Sequence, residues 1–238
     1  MHKEARMPTS ERVIRSILHD IKTPLNAIAG FADLLDAELH GPLNKEQRKF
    51  ATGIRAAVKR ADELLDTLLL TSRLEAGTVP VRKEPTRLPG LVQRAADERR
   101  AEAELRDLEL SVSNDVDTPV VETDPVLVMR VLSNLLSNAV KYTPAGGSVR
   151  IESKGPVKSP GGRQWVVVSV ADTGPGVSRE FRETIFEEFK RLPNAGHTEG
   201  SGMGLAISRR VSHLLGGDLK VESNAGQGSR FTLWLPQW

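Results

Sequence analysis

His19 and Asp20 stand side by side within Ser16-Ile17-Leu18-His19-Asp20-Ile21-Lys22-Thr23-Pro24-Leu25-Asn26. An imidazole is neutral for much of its population at neutral pH and can act as a nucleophile or a base. A neighbouring carboxylate can fix its tautomer and take the ring proton. Residues at i and i+1 do not face each other on a straight helix, so Asp20 reaches only the edge of the ring. Pro24 has no N–H to offer the carbonyl of Asp20 and bends the helix one turn beyond the histidine.

A second chemical group lies far along the chain. Asn134 and Asn138 are four apart in Asn134-Leu135-Leu136-Ser137-Asn138, so they share one helix face while Leu132, Leu135 and Leu136 turn inward. Amide oxygens are hard ligands that suit Mg²⁺, a cation that keeps several waters and shares its remaining ligands with phosphates. Lys141 and Tyr142 follow one turn later, within reach of a phosphate tail. A helix with asparagines along its polar side gives the same pattern.

Two glycine-bearing turns complete the set. Ala171-Asp172-Thr173-Gly174-Pro175-Gly176 ends a very apolar run; its carboxylate can accept a hydrogen bond from a base amino group. An ordinary Asp-Thr-Gly turn looks the same. Gly200-Ser201-Gly202-Met203-Gly204-Leu205 leads into a helix pattern, where backbone N–H groups can approach phosphates. No Gly-Lys-Ser/Thr closes this stretch, so it is not a P-loop. The four other histidines have no cluster spacing, and the three tryptophans read as packing residues.

These residues need scaffolding, and the chain divides its periodicity accordingly. Residues 10–76 read as two long helices. Ile14, Leu18, Ile21, Leu25, Ile28, Ala32, Leu35 and Leu39 form one heptad row. Ala51, Ile54, Val58, Ala61, Leu65, Leu68 and Ser72 form another. His40-Gly41-Pro42-Leu43-Asn44 is the turn between them. One hairpin cannot bury two such rows, so a second copy is expected to complete a four-helix bundle. His19, one step from the apolar Leu18, is expected on the exposed side. Residues 78–87 read as a linker between a first domain at 10–77 and a second at 88–238. Beyond the linker, helices are expected at 88–106, 125–142, 179–189 and 203–215. Strands are expected at 108–113, 119–123, 148–153, 164–171, 218–223 and 230–235. Strands mixed with helices without strict β-α-β alternation predict an α+β two-layer sandwich.

Composition bounds the partners. The chain has 238 residues, 33 Lys and Arg against 31 Asp and Glu, and no cysteine. The net charge of +2 gives no case for nucleic acid. No disulfide framework or thiolate metal site is possible. No apolar run approaches the roughly 20 residues that span a bilayer, and residues 1–6 lack a secretory h-region. A cytoplasmic protein, or the cytoplasmic part of a membrane-bound one, is expected.

In order and spacing, the asparagine box, the Asp172-Thr173-Gly174-Pro175-Gly176 turn, Phe186-Glu187-Glu188-Phe189-Lys190-Arg191, the glycine box, Gly216-Gly217 and Gly226-Gln227-Gly228-Ser229 resemble the catalytic domain of sensor histidine kinases. That ATP-binding fold is shared with gyrase-type and mismatch-repair ATPases. His19-Asp20-Ile21-Lys22-Thr23-Pro24-Leu25 resembles the family's phosphoacceptor box, and the likeness spans about residues 10–236. It implies ATP and Mg²⁺ as cofactors, with His19 as the phosphorylated imidazole and Asp20 as its proton acceptor. Thr23 stands where a polar residue orients water for dephosphorylating a partner. Asn138, with Asn134, is implied as the Mg²⁺ ligand, and Lys141 and Tyr142 as contacts to phosphates or ribose. Asp172 is implied to read the adenine amino group, with Gly174 and Gly176 shaping the base pocket. Gly200, Gly202 and Gly204 flank a lid over residues 190–201 and, with Met203 and Leu205, are implied to bind the nucleotide, and Arg191 matches an arginine that steadies the γ-phosphate. Implied partners are a second copy through the hairpin, a response-regulator receiver domain, and an upstream sensor domain or separate sensor chain. A plain ATPase of the gyrase class is an alternative, although such enzymes carry glutamate where Asn134 stands. A non-enzymatic dimeric scaffold is another.

Overall fold

The computed structural model describes residues 9–39, 41–115, 118–158, 162–190 and 202–237. The chain divides into two compact units, Met1–Val79 and Pro80–Trp238.

The first unit is a helical hairpin of α1 (Thr9–Asp36) and α2 (Lys45–Glu75). Asn44 starts α2 with a reciprocal cap. Its side-chain oxygen accepts from the Gln47 N–H at 2.9 Å, and Gln47 Oε1 accepts from the Asn44 N–H at 2.9 Å. Polar ties cross the hairpin: Lys22 Nζ to Asp66 at 2.8 Å and Asp62 at 3.5 Å, and Arg55 to Asp36 at 2.6 Å. The Asp66 hydrogen bond raises the Lys22 pKa above 10.5, against a desolvation effect that lowers it. Solvated pairs of this kind each contribute little to stability.

The apolar rows do not act as single seams. In α1 every second member faces α2: Leu18 is 4% exposed and Ala32 0%. The members between them open outward, with Ile21 at 40%, Ile28 at 44% and Leu35 at 49%. In α2, Ala51 is buried while Ile54 and Leu68 are exposed. One helix row therefore serves two surfaces, an inner one that closes the hairpin and an outer one with no cover in a single chain. Leu39 lies beyond the end of α1 and is exposed.

The second unit holds β1 (Glu84–Thr86), α3 (Leu88–Leu105), β2 (Glu109–Asn114), β3 (Val121–Thr123), α4 (Pro125–Tyr142), β4 (Ser148–Lys158), β5 (Gln164–Asp172), α5 (Gly204–Leu214), β6 (Asp218–Ser223) and β7 (Ser229–Pro236). Five strands form one sheet in the order β2-β4-β5-β7-β6, with β2 parallel to β4 and the other neighbours antiparallel. Val166, Val168 and Val170 of β5 stand opposite Leu235, Leu233 and Phe231 of β7, and all six are buried. Helices α3, α4 and α5 pack on the sheet, which gives the two-layer α+β architecture. Leu88, Val92, Val128, Leu132, Leu135, Leu136 and Val211 supply the helical side of the core.

Two expected elements differ. The segment expected as a linker, 78–87, contributes β1, which pairs antiparallel with β3. The Arg82 N–H also donates to Asp124 Oδ2 at 2.8 Å, so backbone polar groups bind this stretch to the second unit. The helix expected over 179–189 is instead two single 3₁₀ turns, Arg179–Phe181 and Thr184–Phe186. Thr184, Ile185 and Phe186 are weak helix formers. Burial of Ile185 and edge contact of Phe186 on Phe231, with centroids 6.4 Å apart, outweigh the local pattern.

The turn after β5 is locked to the β6–β7 turn. The Gly226 N–H donates to the Pro175 carbonyl at 2.7 Å, and the Val177 N–H to Ser223 Oγ at 2.7 Å. Gly176 has φ +69°, and a Cβ there would stand 1.9 Å from the Asn224 carbonyl oxygen. Gly176→Ala is expected to destabilise the second unit by roughly 2–4 kcal/mol through backbone strain and overpacking. A urea midpoint within error of wild type would refute that.

Candidate active site

Helix α4 is the spine of the site. Asp124 caps it, accepting the Val126 and Leu127 N–H groups at 3.0 and 3.1 Å, and Pro125 occupies the first turn. The leucine face is buried, which leaves Asn134, Asn138, Lys141 and Tyr142 half-buried along the other side. Lys141 Nζ lies 4.8 Å from the Tyr142 ring centroid. The end of α4 is held by Arg106, which donates to the Lys141 carbonyl at 3.0 Å.

Asp172 closes β5 beside that helix end. A Cβ at Gly174 would stand 2.8 Å from Asp172 Oδ1 and 3.2 Å from the Tyr142 carbonyl. The turn therefore fits between the carboxylate and the last residue of α4. The Gly174 N–H donates to Asp172 Oδ1 at 2.9 Å. Burial pushes the Asp172 carboxyl above its ordinary 3.8, and the peptide N–H groups of Gly174 and Ser229 pull it part of the way back. A half-buried carboxylate with spare acceptor capacity suits an exocyclic amine.

The start of α5 meets the middle of α4. Gly204 packs so closely that a Cβ would lie 2.3 Å from Asn134 Oδ1. Asn134 Nδ2 donates to Ser208 Oγ on the same helix at 2.9 Å. The first turn of α5 has no side-chain cap, because Met203 occupies that position. Its leading N–H groups, starting at Gly204 and Leu205, carry the positive end of the helix dipole. Gly202, with φ +73°, packs on the backbone of Phe189 and Lys190. The described residues before and after segment 191–201 thus meet. Arg191 and Gly200, together with that segment, lie outside the described residues.

The described site residues of the second unit thus fall into one arrangement: a half-buried carboxylate at Asp172, amide side chains on α4, a cation at its end, and N–H groups without a side-chain cap on α5. These fit a purine nucleotide with a metal-bound polyphosphate. Among the described residues no three His, Asp or Glu side chains gather to hold a metal ion, so a hard cation there would rely on amide oxygen and phosphate. Gly176 has another part. It faces the Asn224 carbonyl, so its small size serves the lock between turns rather than an opening for a base. Ser208 carries no motif signature beyond a small residue one helical turn after Gly204, and sequence reasoning passed over it.

In the first unit the His19 side chain is 81% exposed, and its Nδ1 lies 3.5 Å from Asp20 Oδ1. That is the edge contact expected of adjacent helical residues. It leaves Nε2 pointing away from the carboxylate. Thr23 Oγ1 donates to the His19 carbonyl at 3.1 Å.

Two family models match the chain. The His Kinase A (phospho-acceptor) domain covers residues 9–77, and the histidine kinase-, DNA gyrase B- and HSP90-like ATPase domain covers residues 123–238. The chain belongs to the sensor histidine kinases of two-component systems. Among histidine kinases it is 35% identical to the adaptive-response sensory kinase SasA of Synechococcus sp. (strain JA-2-3B'a(2-13)), over 95% of this chain and 59% of the relative. It is 32% identical to the circadian input-output histidine kinase CikA of Synechococcus elongatus, over 94% of this chain and 29% of the relative. Full-length ShkA, crystallised in complex with AMPPNP, superimposes with a TM-score of 0.77 at 32% identity, covering 95% of this chain and 46% of that one. The mycobacterial sensor histidine kinase MprB gives a TM-score of 0.54 at 28% identity, over 65% of this chain and 97% of that one. The chain spans about three-fifths of the length of SasA and carries a helical hairpin and an ATPase-type domain, the parts that the two models match. Among the described residues no helix is long and apolar enough to cross a membrane.

Proposed function

We propose that the protein phosphorylates itself on His19 with ATP and passes the phosphoryl group to an aspartate on a response-regulator receiver domain. The observation that carries this reading is an exposed imidazole with a carboxylate at Nδ1, in a chain whose second unit matches the histidine kinase-type ATPase model. Asp20 favours the tautomer with the proton on Nδ1, which leaves the Nε2 lone pair free. Nε2 bonds to the γ-phosphorus as the bond to the β–γ bridging oxygen breaks. ADP leaves, and the Nδ1 proton passes to Asp20. Transfer of this kind is mainly positioning and charge stabilisation.

Asp172 accepts the adenine amine, and Lys141, Tyr142 and the first turn of α5 meet the phosphates. Asn138, with Asn134, would hold Mg²⁺, which would offset the developing phosphate charge. Gly200, Gly202 and Arg191 belong to the closing segment over the phosphates. Residues 10–77 act as the dimerisation and phosphotransfer domain, 78–87 join the two, and 88–238 bind ATP. A sensor domain, on this or another chain, would act on the hairpin, and the reading places the kinase core in the cytoplasm.

Incubation with γ-labelled ATP and Mg²⁺ tests the proposal. The expected product is a phosphoprotein whose label is lost in acid and kept in base. Acid-stable label, or rapid ADP release with no phosphoprotein, would overturn it.

The outward row Ile21, Ile28 and Leu35 supports a homodimer in which two hairpins form a four-helix bundle. Ile28→Asp is expected to convert the dimer to a monomer in sedimentation, because it buries an unpaired charge in that seam. An unchanged sedimentation coefficient would remove this interface.

Thr23 supports a companion phosphatase activity toward the regulator. Among similar proteins, LuxQ of Vibrio cholerae is described as a sensor kinase/phosphatase, at 34% identity over 25% of its length. Thr23→Ala should slow regulator dephosphorylation while His19 is still labelled; an unaltered rate would exclude the role.

A further inference from the structure

Gly204, Ser208 and Ser212 recur every four residues along α5 and so lie in one row. Ser208 and Ser212 are buried, and Ser212 Oγ donates to the Ser208 carbonyl at 2.7 Å. Small side chains along this row let α5 come close to α4. The row meets one polar group of α4, the amide of Asn134. Its Nδ2 donates to Ser208 Oγ at 2.9 Å, and its Oδ1 fills the space that a Cβ on Gly204 would take.

An asparagine amide has two ends of nearly equal size and opposite chemistry: an acceptor oxygen and a donor NH₂. Only the oxygen can bind a hard cation. An amide without a fixed partner can turn either end toward the nucleotide, and the NH₂ end would repel the metal. Here Ser208 Oγ accepts from the nitrogen and tethers it, which leaves the oxygen as the end without that tether.

We propose that Ser208 is a positioning residue for the magnesium–triphosphate site: it holds the Asn134 amide with its oxygen free as acceptor, while Gly204 provides the room for it. This rests on the reading of Asn134 and Asn138 as the magnesium-binding face. Loss of a group that orients a metal ligand costs about tenfold or more in metal affinity.

The test uses the full chain with Ser208→Ala and the nearly isosteric Ser208→Cys, and titrates ATP calorimetrically with Mg²⁺ and with EDTA. In Mg²⁺, Ser208→Ala should weaken ATP binding about tenfold, with a smaller loss for Ser208→Cys, whose sulfur is a weaker acceptor. In EDTA both should bind ATP as wild type does, a result that a general packing defect would not produce. In an Asn134→Ala background, Ser208→Ala should add less than about twofold, because the two residues act as one unit. Equal losses in EDTA and Mg²⁺, no loss in either, or a full additional loss beside Asn134→Ala would each overturn the proposal. Failure of the wild-type protein to bind ATP with Mg²⁺ would instead overturn the kinase reading, and this inference with it.

Discussion

A His19→Gln protein is expected to bind ATP with wild-type affinity and take up no acid-labile label. Glutamine keeps polarity and approximate size but has no ring lone pair to attack phosphorus. His19 is strongly exposed, and among the described residues its side chain pairs with the adjacent Asp20 alone, so its replacement costs little folding energy. Nucleotide binding belongs to residues on the other compact unit and should be untouched. Labelling of His19→Gln at the wild-type rate would disprove the assignment of the nucleophile. Asp20→Asn separates the two roles in the pair. An amide still reaches Nδ1 but accepts a proton poorly, so labelling should slow by about a hundredfold while the phosphoprotein remains acid-labile. An unchanged rate would mean that solvent takes the proton.

Asp172→Asn is the second large effect, and it should act in opposite directions on binding and stability. The amide can still accept the Gly174 N–H, yet it offers an NH₂ or a weaker acceptor to the adenine amine. Losing a charge-assisted hydrogen bond in a half-buried site costs about 1.5–3 kcal/mol, or roughly 10- to 150-fold in ATP affinity. Burial raises the Asp172 pKa above 3.8, so the folded protein holds its proton more tightly than the unfolded chain does. The stability this provides is present below 3.8 and is lost as pH rises through the raised value. At neutral pH wild type carries the cost of a partly desolvated charge, and Asp172→Asn should therefore unfold at a higher temperature. The advantage should shrink as pH falls toward 3.8 and the carboxyl becomes neutral. A lower melting temperature at pH 7, or ATP affinity within twofold of wild type, would count against the role.

The chemical groups were the most legible part of the chain, because each motif is local. His19 and Asp20 are adjacent, Asn134 and Asn138 share a helix face by spacing alone, and Asp172 ends an apolar strand. Helix α4 matched its expected span because Asp124, Pro125 and a continuous leucine face all agree on where it starts and which side it buries. The stretch 179–189 failed for the opposite reason. The stretch was expected as a helix, but Ile185 is buried and Phe186 meets the distant Phe231, and two short turns satisfy those contacts better.

Heptad periodicity predicted the hairpin and its unpaired apolar surface. It could not divide the row, since Leu18 and Ile21 look alike to a period of 3.5; only the crossing of α1 and α2 separates inner from outer positions. The same limit applies to Gly176, Gly204 and Ser208. Their small size was visible, but its cause was not. Gly176 answers a carbonyl in the β6–β7 turn, while Gly204 and Ser208 answer an amide on α4 more than sixty residues earlier. By itself the sequence determined which atoms can do chemistry and which faces are apolar, because both follow from residue type and short-range helical geometry. Tertiary structure decided which end of the Asn134 amide is held, how far Asp172 is buried, and which half of each heptad row remains open. Those properties depend on neighbours that only the folded chain brings within a few ångströms.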